Sequence, residues 1–420
     1  MTLIKIARKS LLNRKATTLL TIFSIALSVT LLLGIERVQS GARHSFESTV
    51  SGVDLIVGAR SGPVNLLLYS VFRIGNATNN ISHESFAEIN QHGNVEWTIP
   101  ISLGDSHRGY RVVGTNQNFF KHYKYAGTQH LKFKEGKPFE GVFDVVLGAD
   151  VAADLQYRIS ENITLSHGAD VVSFQDHADK PFTIVGILQK TGTPVDKSVH
   201  VSLEAIEALH IDWQNGAPPR PGEEVSKEEI LKLTLEPSDV TAIFVKLKNK
   251  MGIFNIQREI NEYKQEALMA ILPGATLRDL WTTIGFAEKT LFIVSLLVFV
   301  VSIVGMIISL VATLNERRRE MAILRSIGAK RGFLFSVLII EACILTLSGI
   351  LIGVLTLYIA LLGFKPVLES TMGLTLGLLT PTVTDFIYMG ALFLGAILAT
   401  VIPGWRAYKI SLADGLVVKN

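Results

Sequence analysis

Thr290-Leu-Phe-Ile-Val-Ser-Leu-Leu-Val-Phe-Val-Val-Ser-Ile-Val-Gly-Met-Ile-Ile-Ser-Leu-Val-Ala-Thr-Leu-Asn315 holds 26 residues without a charge. About 20 apolar residues in a helix cross the hydrocarbon of a bilayer. Three more runs reach that length. Ala16–Ile35 and Phe386–Trp405 carry no charge, and Gly332–Phe364 carries one, Glu341. Gly, Ser and Thr recur within all four, as in membrane helices that pack closely on one another. Four such runs exceed what the core of a soluble protein needs. The first is longer than the roughly 7–15 residues of a signal-peptide core, and only a weak cleavage site, Ser40-Gly41-Ala42, follows it, so it reads as an uncleaved helix.

The composition agrees. Of 420 residues, 48% are hydrophobic and 18% charged, against about 25% charged in an ordinary soluble domain. That excludes a disordered chain and a plain soluble enzyme. The single cysteine, Cys343, excludes a disulfide framework and a Cys-rich zinc site.

Charge orients the runs. Lys5, Arg8, Lys9, Arg14 and Lys15 precede the first, six basic residues lie between Arg317 and Arg331, and Arg406, Lys409 and Lys419 follow the last. Basic residues stay on the cytoplasmic side. Both termini and the 315–331 loop are therefore expected inside, with 36–285 and the 363–385 loop outside. The block 36–285 holds 24 Lys+Arg and 30 Asp+Glu, the remainder 16 and 7, so an acidic outer domain faces a basic inner surface. The expected layout is a cytoplasmic segment 1–15, spans at 16–35, 286–314, 332–362 and 386–405, and a tail 406–420. The fold class is thus an α-helical membrane protein with four spans, one plus three, and a large mixed α/β domain between the first two.

In the outer block, Val53–Val57, Val95–Leu103, Tyr110–Gly114, Val145–Leu147, Phe182–Leu188, Val199–Val201 and Val240–Leu247 read as strands rich in β-branched residues. Ser82–Gln91 reads as a helix capped by Ser82, and Leu147–Leu155, Leu203–Leu209 and Ile253–Met269 as further helices. Gly216–Glu229, with Pro218, Pro219 and Pro221, reads as a polar linker.

Chemistry-bearing motifs are scarce. The sequence contains no G-x-x-x-x-G-K-[ST] phosphate loop, no G-x-S-x-G elbow and no H-E-x-x-H. Cys343 sits in an apolar helix, where a thiol is inert. All ten histidines fall between His44 and His210, with no spacing that places two on one face. They read as scattered histidines, with a weak metal-handling surface as the sharper alternative.

Asn315-Glu-Arg-Arg-Arg-Glu-Met-Ala-Ile-Leu-Arg-Ser-Ile-Gly-Ala-Lys-Arg331 joins two of the runs. Met321, Leu324 and Ile327 share a helical face, Arg318, Arg325 and Lys330 stand off it, and Gly328 suits a helix end. By itself this is a basic interfacial helix. The pattern Glu316, Arg317, Glu320, Leu324, Arg325, Gly328, Ala329 also resembles the signature of FtsX-like ABC transporter permeases, which include the macrolide-efflux (MacB) and lipoprotein-release (Lol) permeases. The resemblance continues through Glu341 and Gly349–Gly353, the closing Pro403-Gly-Trp-Arg-Ala-Tyr-Lys-Ile-Ser-Leu-Ala-Asp-Gly415, and Ala7, Leu11, Leu12, Arg14 and Lys15 before the first span. Val146-Leu-Gly-Ala-Asp-Val-Ala-Ala-Asp-Leu155 and Phe182–Gly192 look like the MacB-like periplasmic core domain.

The resemblance implies a permease subunit of the inner membrane that is not itself an enzyme and has no cofactor of its own. ATP and Mg would be bound by a separate ABC ATPase. The other implied partners are a second permease protomer, identical or paralogous, the lipid bilayer, and a periplasmic or outer-membrane protein; nucleic acid is not among them. Glu316, Arg317, Arg318, Glu320, Met321, Leu324, Arg325, Ile327 and Gly328 would contact the ATPase. The outer domain would be porter-like, with a Sabre-like part inserted at about 130–215, and ATP-driven motion would move it by mechanotransmission. Rival readings are a signalling subunit that regulates a periplasmic enzyme, a permease linked to metal uptake in view of the histidines, and a membrane-anchored enzyme, against which the lack of a nucleophile or metal constellation argues.

Two features belong to the residues alone. Glu341, about nine residues into the third run, is expected to face protein, because a charge at the centre of a span costs ~2.5–3.5 kcal/mol or more. Pro63-Val-Asn-Leu-Leu-Leu-Tyr-Ser-Val-Phe-Arg-Ile74 is apolar yet too short to cross. Val64, Leu67, Leu68, Val71 and Phe72 recur at helical spacing. The segment is either a core helix of the outer domain or a surface on which Leu67, Leu68 and Phe72 meet lipid, a lipidated cargo or the partner protomer.

Overall fold

The computed structural model describes residues 2–168, 175–176, 180–212, 225–316, 331–372 and 381–409. The chain divides into two units, one carrying the apolar helices and one built on Ala42–Ile284.

Four helices are long and apolar enough to cross a membrane, with candidate spans Lys15–Gly41, Pro273–Ala312, Phe335–Phe364 and Val383–Trp405. The helices themselves, Lys15–Thr49, Pro273–Glu316, Arg331–Met372 and Val383–Lys409, overrun the apolar runs. A helix ends where its backbone hydrogen bonding stops, not where charge begins, so hydropathy marks the lipid-compatible stretch rather than the helix. A shorter helix, Thr2–Asn13, precedes the first span and buries Ala7 and Ser10.

In the α/β unit the sheet is set by alternation. Its main strands are β1 (Leu55–Ala59), β2 (Val95–His107), β3 (Tyr110–Thr115), β4 (Phe133–Gly136), β5 (Asp144–Leu147), β6 (Phe182–Leu188), β7 (Ser198–Ser202), β8 (Ala242–Leu247) and β9 (Leu268–Ile271). They lie in the order β9-β1-β8-β2-β3-β7-β5-β6-β4. The 13-residue β2 belongs to both halves. Val95–Ile101 pairs with β8, and Ser102–His107 pairs with β3 across an irregularity between Leu103 and Ser106. Arg108 (φ 49°) and Gly109 (φ 85°) close the β2–β3 hairpin; two positive φ values in succession match the twist of the strands they join.

Successive residues point to opposite faces. Leu55 and Val57, with Ile243 and Val245, enter one core; Ile56, with Phe244, enters another. In the second half Val145, Leu147, Val199 and Val201 fill a third core, while Val146 faces the one that holds Ile56. Both faces are covered, so these strands read as near-continuous apolar runs. The stretch of about 130–215 supplies β4 to β7 of this same hydrogen-bonded sheet.

Two local outcomes depart from the sequence reading. The Ile253–Met269 periodicity breaks. The helix ends at Asn261, and Leu268–Ile271 is strand β9, antiparallel to β1. Pairing with β1 and burial of Leu268 and Ala270 outweigh a helical pattern that short apolar runs do not distinguish. The expected linker contains, within its described part, a one-turn helix Lys227–Ile230 closed by a capping box between Ser226 and Glu229.

β9 is an edge strand, and its outward backbone groups are occupied. Ala270 N–H donates to Asn261 Oδ1 (2.7 Å), Ala270 C=O accepts from Gln257 Nε2 (3.0 Å), and Leu268 C=O accepts from Arg60 Nε (3.3 Å). An edge closed in this way does not recruit another strand.

Candidate functional site

Small residues bring the spans into contact. Gly349 and Gly353 repeat at an interval of four on the third span, the spacing that lets two helices approach at backbone distance. A Cβ at Gly353 would lie 2.6 Å from Ala26 O and 2.8 Å from Val29 Cβ, and one at Gly349 would lie 2.7 Å from Ile25 Cβ, so both glycines touch the first span directly. Thr30 Oγ1 donates to Gly353 O at 2.9 Å. The second span meets the first through Ser28 Oγ and Ser302 Oγ at 2.9 Å, and Ser302 Oγ donates to Ser24 O at 3.1 Å. Ile25, Val29, Leu33, Met306, Leu345 and Ala396 fill the core between these helices.

One ion pair joins the first and fourth helices. Arg37 donates to Asp385 Oδ2, with side-chain exposures of 13% and 6%. The same oxygen accepts Thr382 N–H at 2.8 Å, so Asp385 also closes the start of its own helix. Asp385 Oδ1 is buried and carries no hydrogen bond among the described residues. Asp385 and Arg37 were not singled out from the sequence; both stand at the ends of apolar runs, where a charge reads as a boundary. An acid and a base at the ends of two runs on the same side of the membrane were the available signal.

Glu341 is 1% exposed, on the helix face that also buries Leu338, Ala342 and Leu345. Arg317, Arg318, Glu320, Met321, Leu324, Arg325, Ile327 and Gly328 lie outside the described residues, and Glu316 is the last residue of the second-span helix. The Pro63–Phe72 segment is a helix. Leu67 (1% exposed) and Phe72 (8%) lie in the core of the α/β unit with Leu66, Tyr69 and Val71, and Leu68 is half-buried against it. Gly58 admits this helix onto β1, since a Cβ there would meet Leu66 Cδ1 at 2.4 Å.

The described histidines are dispersed and locally engaged. His107 bonds Thr164 O (2.6 Å) and Tyr157 Oη (3.0 Å), His122 stacks on Trp97, His92 approaches Glu259 and His210 approaches Asp105. Among the described residues no three His, Cys, Asp or Glu side chains form a metal-binding group. His200 is fully buried, stacked on Phe119. Burial, reinforced by the Arg73 guanidinium, lowers its pKa to about 3. Arg73 is itself lowered to about 10 by desolvation, and burial raises the Tyr123 hydroxyl well above its usual range. These are interior groups held in their uncharged or desolvated states rather than an acid–base pair facing solvent.

The arrangement is therefore a close-packed helical unit joined in sequence to an α/β unit, with no convergent catalytic set among the described residues. Its sequence matches two family models: the MacB-like periplasmic core domain over residues 18–263 and the FtsX-like permease C-terminal domain over 292–412. The chain belongs to the MacB/FtsX-like family of ABC transporter permeases. Its large domain between the first two spans is the periplasmic domain of that family. Similar solved structures include the periplasmic region of MacB from Actinobacillus actinomycetemcomitans, at 9% identity and TM-score 0.35, covering 55% of this chain and 94% of that one. The extracellular domain of the noncanonic ABC-type transporter YknZ from Gram-positive bacteria matches at 11% identity and TM-score 0.30, covering 52% of this chain and 98% of that one. No curated protein matches the sequence.

Proposed function

We propose that this permease converts ATP-driven motion of a separate ATPase into movement of its periplasmic domain, to export or extract a substrate. The observation that carries the proposal is the match of both family models, together covering the external domain and the last three spans. The basic segment Glu316–Arg331, between the second and third spans, supplies the ATPase contact. Met321, Leu324 and Ile327 anchor it by the helix-in-groove mode, and the arginines set its register. ATP and Mg sit on the ATPase, and both termini lie with it in the cytoplasm. A second protomer completes the transporter.

Co-purification tests this. Leu324→Asp with Ile327→Asp is expected to insert normally in the membrane and to lose the ATPase. An ATPase retained at the wild-type ratio overturns the assignment. Stimulation of ATP hydrolysis by a candidate cargo in the intact complex separates transport from signalling.

A further inference from the structure

A cavity of about 320 Å³ opens where the first span begins and the second ends. Asn13, Arg14, Lys15 and Ala16 line it on one side, Ser309 and Ala312 on the other, and all belong to the helical unit. The sequence sets its depth. Ala16 opens the uncharged run that closes at Ile35, and Ala312 lies in the last turn of the run that closes at Asn315. At such a boundary hydrocarbon gives way to lipid headgroups.

The charge on the lining has one sign. Arg14 and Lys15 are basic, and no acidic residue lines the cavity. The chain up to Ile35 carries Lys5, Arg8, Lys9, Arg14 and Lys15 and no acid. Lys15 is exposed and makes no side-chain hydrogen bond or ion pair among the described residues. Basic pockets between membrane helices take phosphate-bearing headgroups.

Two apolar stripes lead from the cavity into the spans. Leu19, Leu20 and Phe23 follow Ala16 at i+3, i+4 and i+7, and Ile308 and Val304 precede Ala312 at intervals of four. Residues so spaced share a helix face, and all five are exposed. A soluble anion would meet the cations and leave the stripes bare. A zwitterionic lipid would bring an ammonium group to a lining that is already cationic. An anionic lipid with two acyl chains matches both the lining and the stripes.

We propose that this cavity seats the headgroup of an anionic glycerophospholipid, its phosphate on Lys15 with Arg14 beside it, and its two chains along the Leu19–Phe23 and Val304–Ile308 stripes. The site goes beyond the permease reading, since it requires neither an ATPase nor a cargo and is the same whichever side of the membrane the termini occupy.

Native mass spectrometry tests the proposal on the purified full-length chain in an uncharged detergent with equimolar dioleoyl phosphatidylglycerol and dioleoyl phosphatidylcholine. One phosphatidylglycerol is expected to be retained at least about fivefold over phosphatidylcholine, the factor that one basic residue supplies at an anionic lipid surface. Lys15→Gln is expected to remove about that factor, with an unchanged melting temperature in phosphatidylcholine, and Lys15→Arg to keep it. Lys9→Gln, exposed on the preceding helix and outside the cavity, is expected to leave it unaltered. Millimolar glycerol 3-phosphate, the headgroup chemistry without chains, is expected not to displace the lipid. The proposal is overturned if phosphatidylcholine is retained equally, if glycerol 3-phosphate displaces the lipid, if Lys15→Gln retains phosphatidylglycerol as the wild type does, or if Lys9→Gln weakens it as much as Lys15→Gln.

Discussion

His200 stacks on Phe119 with ring centroids 5.0 Å apart and meets Phe120 at 6.4 Å, in a position a phenylalanine would suit. Its folded pKa of about 3 lies below the ordinary value of 6.5. Below pH ~6.5 the unfolded chain takes up a proton that the folded chain refuses. The stability it contributes is therefore complete above that pH and is lost as pH falls toward about 3, amounting to roughly 2 kcal/mol by about pH 5. His200→Phe is expected to reduce the difference between unfolding at neutral pH and at about pH 5 by that amount. An unchanged pH dependence would show that His200 is not the group responsible. Gly353 is the corresponding residue among the spans. Gly353→Leu drives side-chain atoms into the Ala26 carbonyl and is expected to cost at least ~1–3 kcal/mol, read as a lower melting temperature in detergent. Gly363→Leu, with nothing within 4 Å of its Cβ position, serves as the silent control. Gly349 and Gly353 were visible in the sequence as part of a resemblance; that they touch Ile25, Ala26 and Val29 is a fact of helix packing.

The Pro63–Phe72 helix shows what periodicity alone leaves open. Its apolar residues cover more than one stripe, and Leu66 and Tyr69 are as buried as Leu67. Because Leu67 and Phe72 are enclosed by the domain's own core, Leu67→Ser is expected to destabilise the domain by about 2–5 kcal/mol. Leu68→Ser, half-buried, is expected to cost less. Equal and small effects on unfolding, with activity lost in both, would point instead to a contact surface for lipid or a partner. The strands were largely legible, Phe182–Leu188 to the residue, because β-branched runs between turn signals admit few other readings. Ile253–Met269 was misread because its last two residues, Leu268 and Met269, belong to a strand held by pairing with β1, a residue range about 200 positions earlier that no local pattern contains.

At the scale of the whole chain, charge predicts the arrangement about the membrane. In a Cys343→Ser background, Lys264→Cys is expected to react with an impermeant thiol reagent in intact cells, and Lys419→Cys only after permeabilisation. Reaction of Lys419→Cys in intact cells would reverse the orientation. The expectation follows from the asymmetry of charge: residues 36–285 carry 24 Lys+Arg and 30 Asp+Glu, and the rest of the chain 16 and 7.

The number of spans, the one-plus-three layout and the family were determined by the sequence itself. Each rests on properties local in the chain: apolar length against bilayer thickness, and short motifs, chief among them the one in residues 315–331. The contacts between elements were decided only by tertiary structure. Arg37 and Asp385 are 348 positions apart, and Ser28 and Ser302 are 274. Lys15 and Ser309 line one cavity because the start of the first span and the end of the second converge. Such pairings depend on which helix faces and strand edges meet, and that follows from burying apolar surface over the whole unit rather than from any one segment.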